Sequence, residues 1–286
     1  MTEQPGLTGA TGPWPFITRR FYLHEGEHLN WYSRTHRKGL GGKLSAIQAS
    51  EWQPQTLNLW IAWGFAIGAF LFVAGSVLSL WPDLAQRFAL TALQVGAVYF
   101  AGSIFFTGAA YLQLFQAANT GLRMPDGSPQ ERFVWLGWQP GNIGWLSSAL
   151  QFPGTLLFNV NTFMAMGAPG TWLLQDLTIW APDIIGSVLF LLSGYLAFVG
   201  VCHRYWAWRW REFSWWVGWV NLLGCVAFMV SAIYAFVPSG ADGPTHLARS
   251  TGWTLVGAVG FLAGAVLLMV ESRSTDQRPG KATASS

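Results

Sequence analysis

Every long apolar segment of this chain contains the motif Gly-x-x-x-Phe. Each of these segments is long enough to cross a bilayer, which takes about 20 apolar residues. In five of the six instances, a small residue follows the Phe by four positions. The six instances are Gly68/Phe72, Gly96/Phe100, Gly154/Phe158, Gly186/Phe190, Gly224/Phe228 and Gly257/Phe261. A pattern that recurs in each segment predicts a bundle of membrane helices that pack in similar ways.

The sequence predicts an all-α, polytopic membrane protein with six transmembrane helices. Their expected bounds are 57–80, 91–115, 142–166, 179–202, 215–237 and 251–271. The third helix is the least apolar, because it contains Gln151, Pro153, Asn159 and Asn161. The expected domains are a cytoplasmic N-terminal segment (1–56), a transmembrane domain (57–271) and a disordered cytoplasmic tail (272–286).

The composition disfavours a soluble protein. Charged residues are 10% of the chain, against about 25% in an average soluble domain. The 18 Trp and 33 Gly are typical of membrane proteins, because Trp gathers at membrane–water interfaces and Gly is common in membrane helices. The basic residues are spread over the loops, which argues against nucleic-acid binding. We expect contact with the lipid bilayer, and a second copy of the chain or another membrane protein as candidate partner.

The basic residues also predict the orientation of the chain. With six spans, fourteen of the 16 Lys and Arg residues fall on the side of the two termini, and only Arg87 and Arg249 fall on the other side. Cytoplasmic loops of membrane proteins carry the excess of basic residues. Both termini are therefore predicted to be cytoplasmic. Without the third span this asymmetry would collapse, which favours six spans over five.

The depth of the motif divides the predicted helices into three pairs. The motif glycine lies 10 to 13 residues into the odd helices and 6 to 8 residues into the even ones. Because alternate helices run in opposite directions, all six motifs are expected in the outer half of the membrane. The repeated unit is a helical hairpin, with bounds 57–115, 142–202 and 215–271. Small residues let membrane helices approach closely, so we interpret the motif as a packing device.

The first hairpin carries a family resemblance. Gly75-Ser76 and Gly102-Ser103 lie near the middle of its two helices, beside the small-x-x-x-Phe pattern. With these motifs, the segment Asn58–Asn119 resembles the YrhK-like domain of small bacterial membrane proteins. The preceding stretch Trp31–Gly39 resembles a basic element of larger actinobacterial relatives. The resemblance implies a multi-pass protein of the bacterial plasma membrane, and it brings no activity or catalytic residue with it.

One cluster in the N-terminal segment has the composition of a metal site. His24 and His28 lie four residues apart, and a metal ion there needs a third ligand such as His36 or Glu51. Gly26 between the two histidines disfavours a helix, so we interpret the segment as a solvated turn. We predict no catalytic, cofactor-binding or metal site, and we do not expect the protein to be an enzyme.

The third helix is the only span that combines an internal proline with two amides. Pro153 removes a backbone hydrogen bond and is expected to kink the helix. Asn159 and Asn161 follow in its outer half, where an amide needs a partner. One interpretation is that both bind neighbouring helices. The alternative is a polar outer vestibule formed with Gln94 and Asp183, which could hold a small solute.

Two functions remain open from the sequence. The first is a non-enzymatic membrane scaffold or accessory subunit whose helices pack on themselves or on a partner. The alternative is a small-solute transporter or channel with its polar site in the outer half of the third helix. A hydrophilic cavity that reaches the middle of the bundle would favour the transporter, and a dry centre filled by Gly and Phe would favour the scaffold.

Overall fold

The computed structural model describes residues 6–24, 26–38, 54–120, 133–167, 171–237 and 242–276, and most of them are helical. Within these residues, five helices are long and apolar enough to cross a membrane. They span Leu57–Leu80, Ala92–Asn119, Leu173–Cys202, Phe213–Ala235 and Gly243–Ser272. The expected class of membrane protein is therefore confirmed. The helix Ile143–Met166 packs among them and is less apolar.

The N-terminal segment contains a small antiparallel sheet that the all-α prediction missed. Strands β1 (Gly6–Thr11), β2 (Arg19–His24) and β3 (Glu27–Tyr32) pair in the order β1-β2-β3. Gly26, which directly precedes β3, has a φ of 80°, a conformation that favours glycine. The short helix α1 (Ser33–Arg37) follows directly. The sheet brings α1 to one end of the helical bundle.

The bundle consists of six long helices and two short ones. In chain order they are α2 (Pro54–Leu80), α3 (Pro82–Arg87), α4 (Ala92–Asn119), α5 (Ile143–Met166), α6 (Trp172–Gln175), α7 (Ala181–Cys202), α8 (Phe213–Ala235) and α9 (Gly243–Asp276). The π-helical turn Asp176–Trp180 joins α6 to α7. Helix α9 continues through Asp276, past the domain boundary expected after residue 271, because charged residues end an apolar run without ending a helix. Residues 277–286 lie outside the described residues.

The six long helices form a closed ring. Each packs against the next one in chain order, and α9 packs back against α2. Neighbouring helices run antiparallel. In the first pair, for example, Gly64 of α2 faces Ala109 of α4, whereas Gly75 faces Tyr99. All six helices therefore share one central axis.

Glycines hold the helices of a pair in close contact at the motif. A Cβ on Gly154 would lie 2.9 Å from a ring carbon of Phe190, and one on Gly224 would lie 3.2 Å from the carbonyl oxygen of Gly257. The space that each glycine leaves open is occupied by the Phe of the facing helix. Close approach of backbones through small residues is how membrane helices gain packing energy.

In the first pair the structure corrects the predicted motif. The glycine that faces Gly68 is Gly102, and the ring in the core is Phe106. Gly96 instead faces Met166 of α5, and the partly buried Phe100 contacts the exposed Phe163. Gly102-x-x-x-Phe106 has the same form as the predicted motif, and the small residue Ala110 follows the Phe by four positions. The interval from Gly68 to Gly102 also matches the intervals in the other two pairs.

Six phenylalanine rings fill the axis at the level of these glycines. We call this set the phenylalanine prism, and it consists of Phe72, Phe158 and Phe228 from the first helix of each pair and Phe106, Phe190 and Phe261 from the second. Each ring is at most 6% exposed. Within each helix pair the two ring centroids are 5.0 to 5.5 Å apart, and contacts between pairs join the rings into one apolar block.

Candidate functional site

The amides predicted to form an outer vestibule point to separate partners. The Nδ2 atom of Asn159 donates to Oγ1 of Thr107 on α4, at 2.9 Å. The Nδ2 atom of Asn161 donates to the carbonyl oxygen of Ile179 in the π-helical turn, at 2.8 Å. Both bonds join α5 to a neighbouring helix. The structure therefore gives these amides the role of interhelical contacts, although the buried Oδ1 of Asn159 has no hydrogen-bond partner.

The other two vestibule candidates do not join these amides. Gln94 is exposed and forms a capping box with Thr91 at the start of α4, where its Oε1 accepts from the Thr91 backbone at 2.8 Å. Asp183 is half-buried in the first turn of α7. In the part of the chain that the structure describes, none of the four predicted side chains is hydrogen-bonded to another of the four. The vestibule remains a prediction.

A cavity with a partly polar lining lies elsewhere, inside the ring and next to the phenylalanine prism. We call it the axial chamber, and its volume is about 100 Å³. Phe106 and Phe261 of the prism close one end. Its uncharged polar lining consists of Gln113, Ser147, Gln151, Ser193 and Asn221. About 10–15 Å³ of such volume is enough for one water molecule, so the chamber has room for several waters or one small solute.

The helix repeat explains the position of the chamber and its uneven polarity. Phe65, Gln151 and Asn221 each lie three residues before the motif glycine of their helix, and all three line the chamber. The three helix pairs thus present equivalent positions to the axis. Two of these positions hold amides and one holds an aromatic ring, so the chamber is polar on one side.

Part of this polar lining is already hydrogen-bonded. The Nε2 atom of Gln113 donates to Oε1 of Gln151 at 3.0 Å, which ties α4 to α5. The hydroxyl of Ser147 donates to the carbonyl oxygen of Ser193 at 3.0 Å, which ties α5 to α7. Among the described residues, the Asn221 amide has no hydrogen-bond partner. Asn221 is therefore the lining group best able to bind a solute.

Helix α1 caps the other end of the chamber and contacts all three helix pairs. The Arg34 guanidinium donates to Ser214 on α8, the Arg37 guanidinium donates to the carbonyl of Gly144 on α5, and the Lys38 carbonyl accepts from Asn58 on α2. These three partners each lie ten residues before the motif glycine of their helix. The cap therefore binds one equivalent position in each repeat.

A buried ion pair fastens this cap to the last helix. Both terminal nitrogens of Arg34 donate to the Glu271 carboxylate, at 2.5 and 2.7 Å, and Ser214 donates to the same carboxylate. Arg34 and Glu271 side chains are 13% and 8% exposed. A bidentate, hydrogen-bonded pair is the geometry in which a carboxylate tolerates burial.

Lys38 is the second cation at this end. Its Nζ lies 3.4 Å from Oε2 of Glu271, and its side chain is 11% exposed. Burial, and then the charge of Arg34, lower the pKa of Lys38 to about 7, although Glu271 opposes this shift. Near neutral pH, the ammonium group is therefore close to losing its proton.

Arg37 is the third cation and the least satisfied one. Its Nη1 donates to the Gly144 carbonyl at 2.9 Å, whereas its buried Nε has no hydrogen-bond partner. Burial, and then the charge of Arg34, lower the pKa of Arg37 to about 10, so the guanidinium stays charged at neutral pH. We call these groups together the mouth, which consists of Arg34, Arg37, Lys38 and Glu271.

The predicted histidine cluster lies at the β2–β3 turn, away from this site. His28 and Gly26 are exposed, and the ring of His36 packs on Trp31 with centroids 5.5 Å apart. Glu51, the other proposed ligand, lies outside the described residues. Within the described residues, no group of three His, Cys, Asp or Glu side chains could hold a metal ion.

Sequence reasoning missed the chamber and the mouth. Arg34, Arg37 and Lys38 counted only toward the orientation, and no sequence pattern predicted that Glu271 lies beside them. A usable signal was present in the spacing, because polar residues recur at fixed offsets from the motif glycines. That signal refers to Gly68, Gly154 and Gly224, the motif glycines in the first helix of each pair.

Comparison with known proteins adds no assignment to this geometry. No protein-family model, no curated protein and no solved structure matches the chain significantly. The resemblance of the first helix pair to the YrhK-like domain stays a prediction.

Proposed function

We propose that this is a six-span membrane protein built from three helical hairpins, with both termini in the cytoplasm of a bacterial cell. Helix α5 packs between α4 and α7 in the closed ring, which supports counting it as a sixth span. The distribution of Lys and Arg supports the orientation. In this orientation the mouth faces the cytoplasm and the phenylalanine prism lies on the outer side of the chamber.

We further propose that the protein is a non-enzymatic transporter or channel for a small polar solute, which it takes up in the axial chamber. The observation that carries this proposal is a polar cavity enclosed by the ring and ending at Phe106 and Phe261. The lining offers amides and hydroxyls, which suit binding more than bond-breaking chemistry. The prism is then an apolar constriction of the kind that gates membrane pores by dewetting.

The membrane scaffold remains the second candidate, and the phenylalanine prism favours it. Six buried rings make the axis dry on one side of the chamber. A protein that only packs against itself or a partner needs such a core and no path through it. Whether solute crosses the ring distinguishes the two functions.

Proteoliposome swelling tests the transport function. Vesicles that contain the protein should swell faster than protein-free vesicles in small polar solutes such as urea, formamide or formate. Asn221→Leu should slow this swelling, because it fills the chamber with an apolar side chain. The matched control is Val226→Leu on the outward face of the same helix, where Val226 is 42% exposed. Swelling no faster than that of protein-free vesicles would contradict transport and favour the scaffold.

A further inference from the structure

We propose that the axial chamber binds a small anion, held between Arg37 and Lys38 at the mouth and Asn221 deeper in the chamber. This inference rests on the proposed solute site and names the chemical class of its ligand. It concerns a free anion of the size of formate, acetate, chloride or inorganic phosphate.

The charge balance at the mouth is the first argument. Arg34, Arg37 and Lys38 all line the chamber. Among the described residues, Glu271 is the only carboxylate that forms an ion pair with any of them, and both of its oxygens accept from Arg34. Buried charge is costly unless it is paired. An anion beside Arg37 and Lys38 would supply the missing negative charge.

The free donors at the mouth are the second argument. An arginine carries five N–H donors in a fixed fork, which suits carboxylate and phosphate oxygens. Among the described residues, Nη1 is the only guanidinium nitrogen of Arg37 with a hydrogen-bond partner, the Gly144 carbonyl, and the buried Nε has none. The Lys38 ammonium has one contact, at 3.4 Å from Glu271. Both cations can therefore donate to a ligand without breaking the Arg34–Glu271 pair.

The size and depth of the chamber are the third argument. A volume of about 100 Å³ admits a small anion and excludes a nucleotide or a complete lipid. Asn221 also lines this space, seven residues along α8 from Ser214, which the cap binds, and no described residue is hydrogen-bonded to its amide. Its N–H can donate to the same anion, since an amide presents two donors. The apolar floor of Phe106 and Phe261 keeps the anion at the mouth end.

Isothermal titration on the full-length protein in detergent tests this inference. Inorganic phosphate, acetate and chloride are titrated at constant ionic strength, with urea as a neutral solute of similar size. We expect saturable binding of at least one anion. Arg37→Gln should weaken it by about tenfold or more, the effect of losing a charged hydrogen bond. The control Arg249→Gln removes an exposed cation from the opposite end of α9 and should leave binding unchanged.

The outcomes separate this inference from the proposed function. If none of the three anions binds while proteoliposomes still swell in urea, the anion inference is wrong and the transport function stands. If anions bind equally well to wild type and Arg37→Gln, binding takes place elsewhere and the inference is also wrong. If swelling and anion binding are both absent, both proposals fail. The wild-type titration alone decides whether an anion binds, so this result does not depend on how well a variant folds.

Discussion

The phenylalanine prism and the axial chamber lie next to each other on one axis and are built on the same helix repeat. At the prism, each of the six long helices contributes a Phe four residues after a glycine, and the result is dry and nearly symmetric. One turn before the motif glycine, the first helix of each pair holds Phe65, Gln151 or Asn221. These side chains line the axial chamber, which is polar on one side. The repeat is kept where helices pack and broken where the cavity lies.

This difference indicates where to look for function in a repeated membrane bundle. Close packing requires the same small residue and the same ring in each unit, because each pair of helices must approach equally. Binding a ligand requires particular donors on one side of the axis, which a symmetric set of residues does not provide. The positions that depart from the repeat, such as Asn221 in the chamber, are the better candidates for binding.

The largest expected effect is on the prism side. Phe228→Ala should lower the free energy of unfolding by about 3–5 kcal/mol, the usual cost of truncating a core phenylalanine, because Phe228 contacts Phe72, Phe158 and Phe261. Phe100→Ala is the control and should cost clearly less, since Phe100 lies outside the prism. Denaturation in detergent measures both. Equal losses would remove the distinction between the prism and the other rings.

A second effect is expected at the mouth. Glu271→Gln should destabilise the protein by about 1.5–3 kcal/mol, because it removes the carboxylate that both Arg34 and Lys38 contact. Glu212→Gln is the control. Glu212 forms an exposed ion pair with Arg209, three residues before it in the sequence, and exposed ion pairs contribute little to stability. If the two variants are equally stable, the cap is not fastened by the Arg34–Glu271 pair.

The pH dependence of stability gives a third test. The pKa of Lys38 is about 7 in the folded chain, against 10.5 as the ordinary value. Between these two pH values the unfolded chain binds more protons, so stability should rise as the pH increases from 7 toward 10.5. Arg34, Arg37 and Glu271 are the charged groups that act on it. Lys38→Met should flatten this rise in unfolding experiments, and an unchanged slope would show that folding does not lower the pKa of Lys38.

The smallest effect on stability should accompany a clear effect on binding. A Cβ on Gly144 would lie 2.5 Å from Nη1 of Arg37, so Gly144→Ala must displace the guanidinium. Because a guanidinium lies at the end of a flexible side chain, we expect a stability change below about 1 kcal/mol. Phosphate binding should nevertheless weaken. Gly141→Ala is the control, since nothing lies within 4 Å of that Cβ position; equal phosphate binding by both variants would contradict the role of Arg37.

Much of the bundle could be predicted from the sequence, because its packing device is periodic. The motif predicts five of the six prism phenylalanines, and the length and apolar character of the helices predict a membrane protein. The pattern fits α4 twice, at Gly96/Phe100 and at Gly102/Phe106, and only the contact with Gly68 across the pair separates the two. The sheet was missed because its strands are short and lack a strong alternation of apolar and polar residues.

The candidate site was much harder to predict. Arg37 and Asn221 are far apart in sequence, and only closure of the ring brings them to the same cavity. The amides Asn159 and Asn161 drew attention because a polar group in an apolar span needs a partner. In the structure they find partners in Thr107 and Ile179. The sequence shows that an amide needs a partner, and the fold decides whether that partner is a neighbouring helix or a ligand.

Thiol accessibility along α8 tests the central claim that the axis is wet at the chamber and dry at the prism. Cys225 is 2% exposed and belongs to the core cluster of the prism. The other cysteine of the chain is Cys202, so the Cys202→Ala protein has Cys225 as its single thiol, inside the dry region. Adding Asn221→Cys and Cys225→Ala moves the single thiol one turn along the helix into the chamber. With a small thiol reagent, we predict that the cysteine at 221 reacts readily and Cys225 reacts only after denaturation. An inert cysteine at 221, or a Cys225 that reacts as fast in the folded protein, would contradict the account.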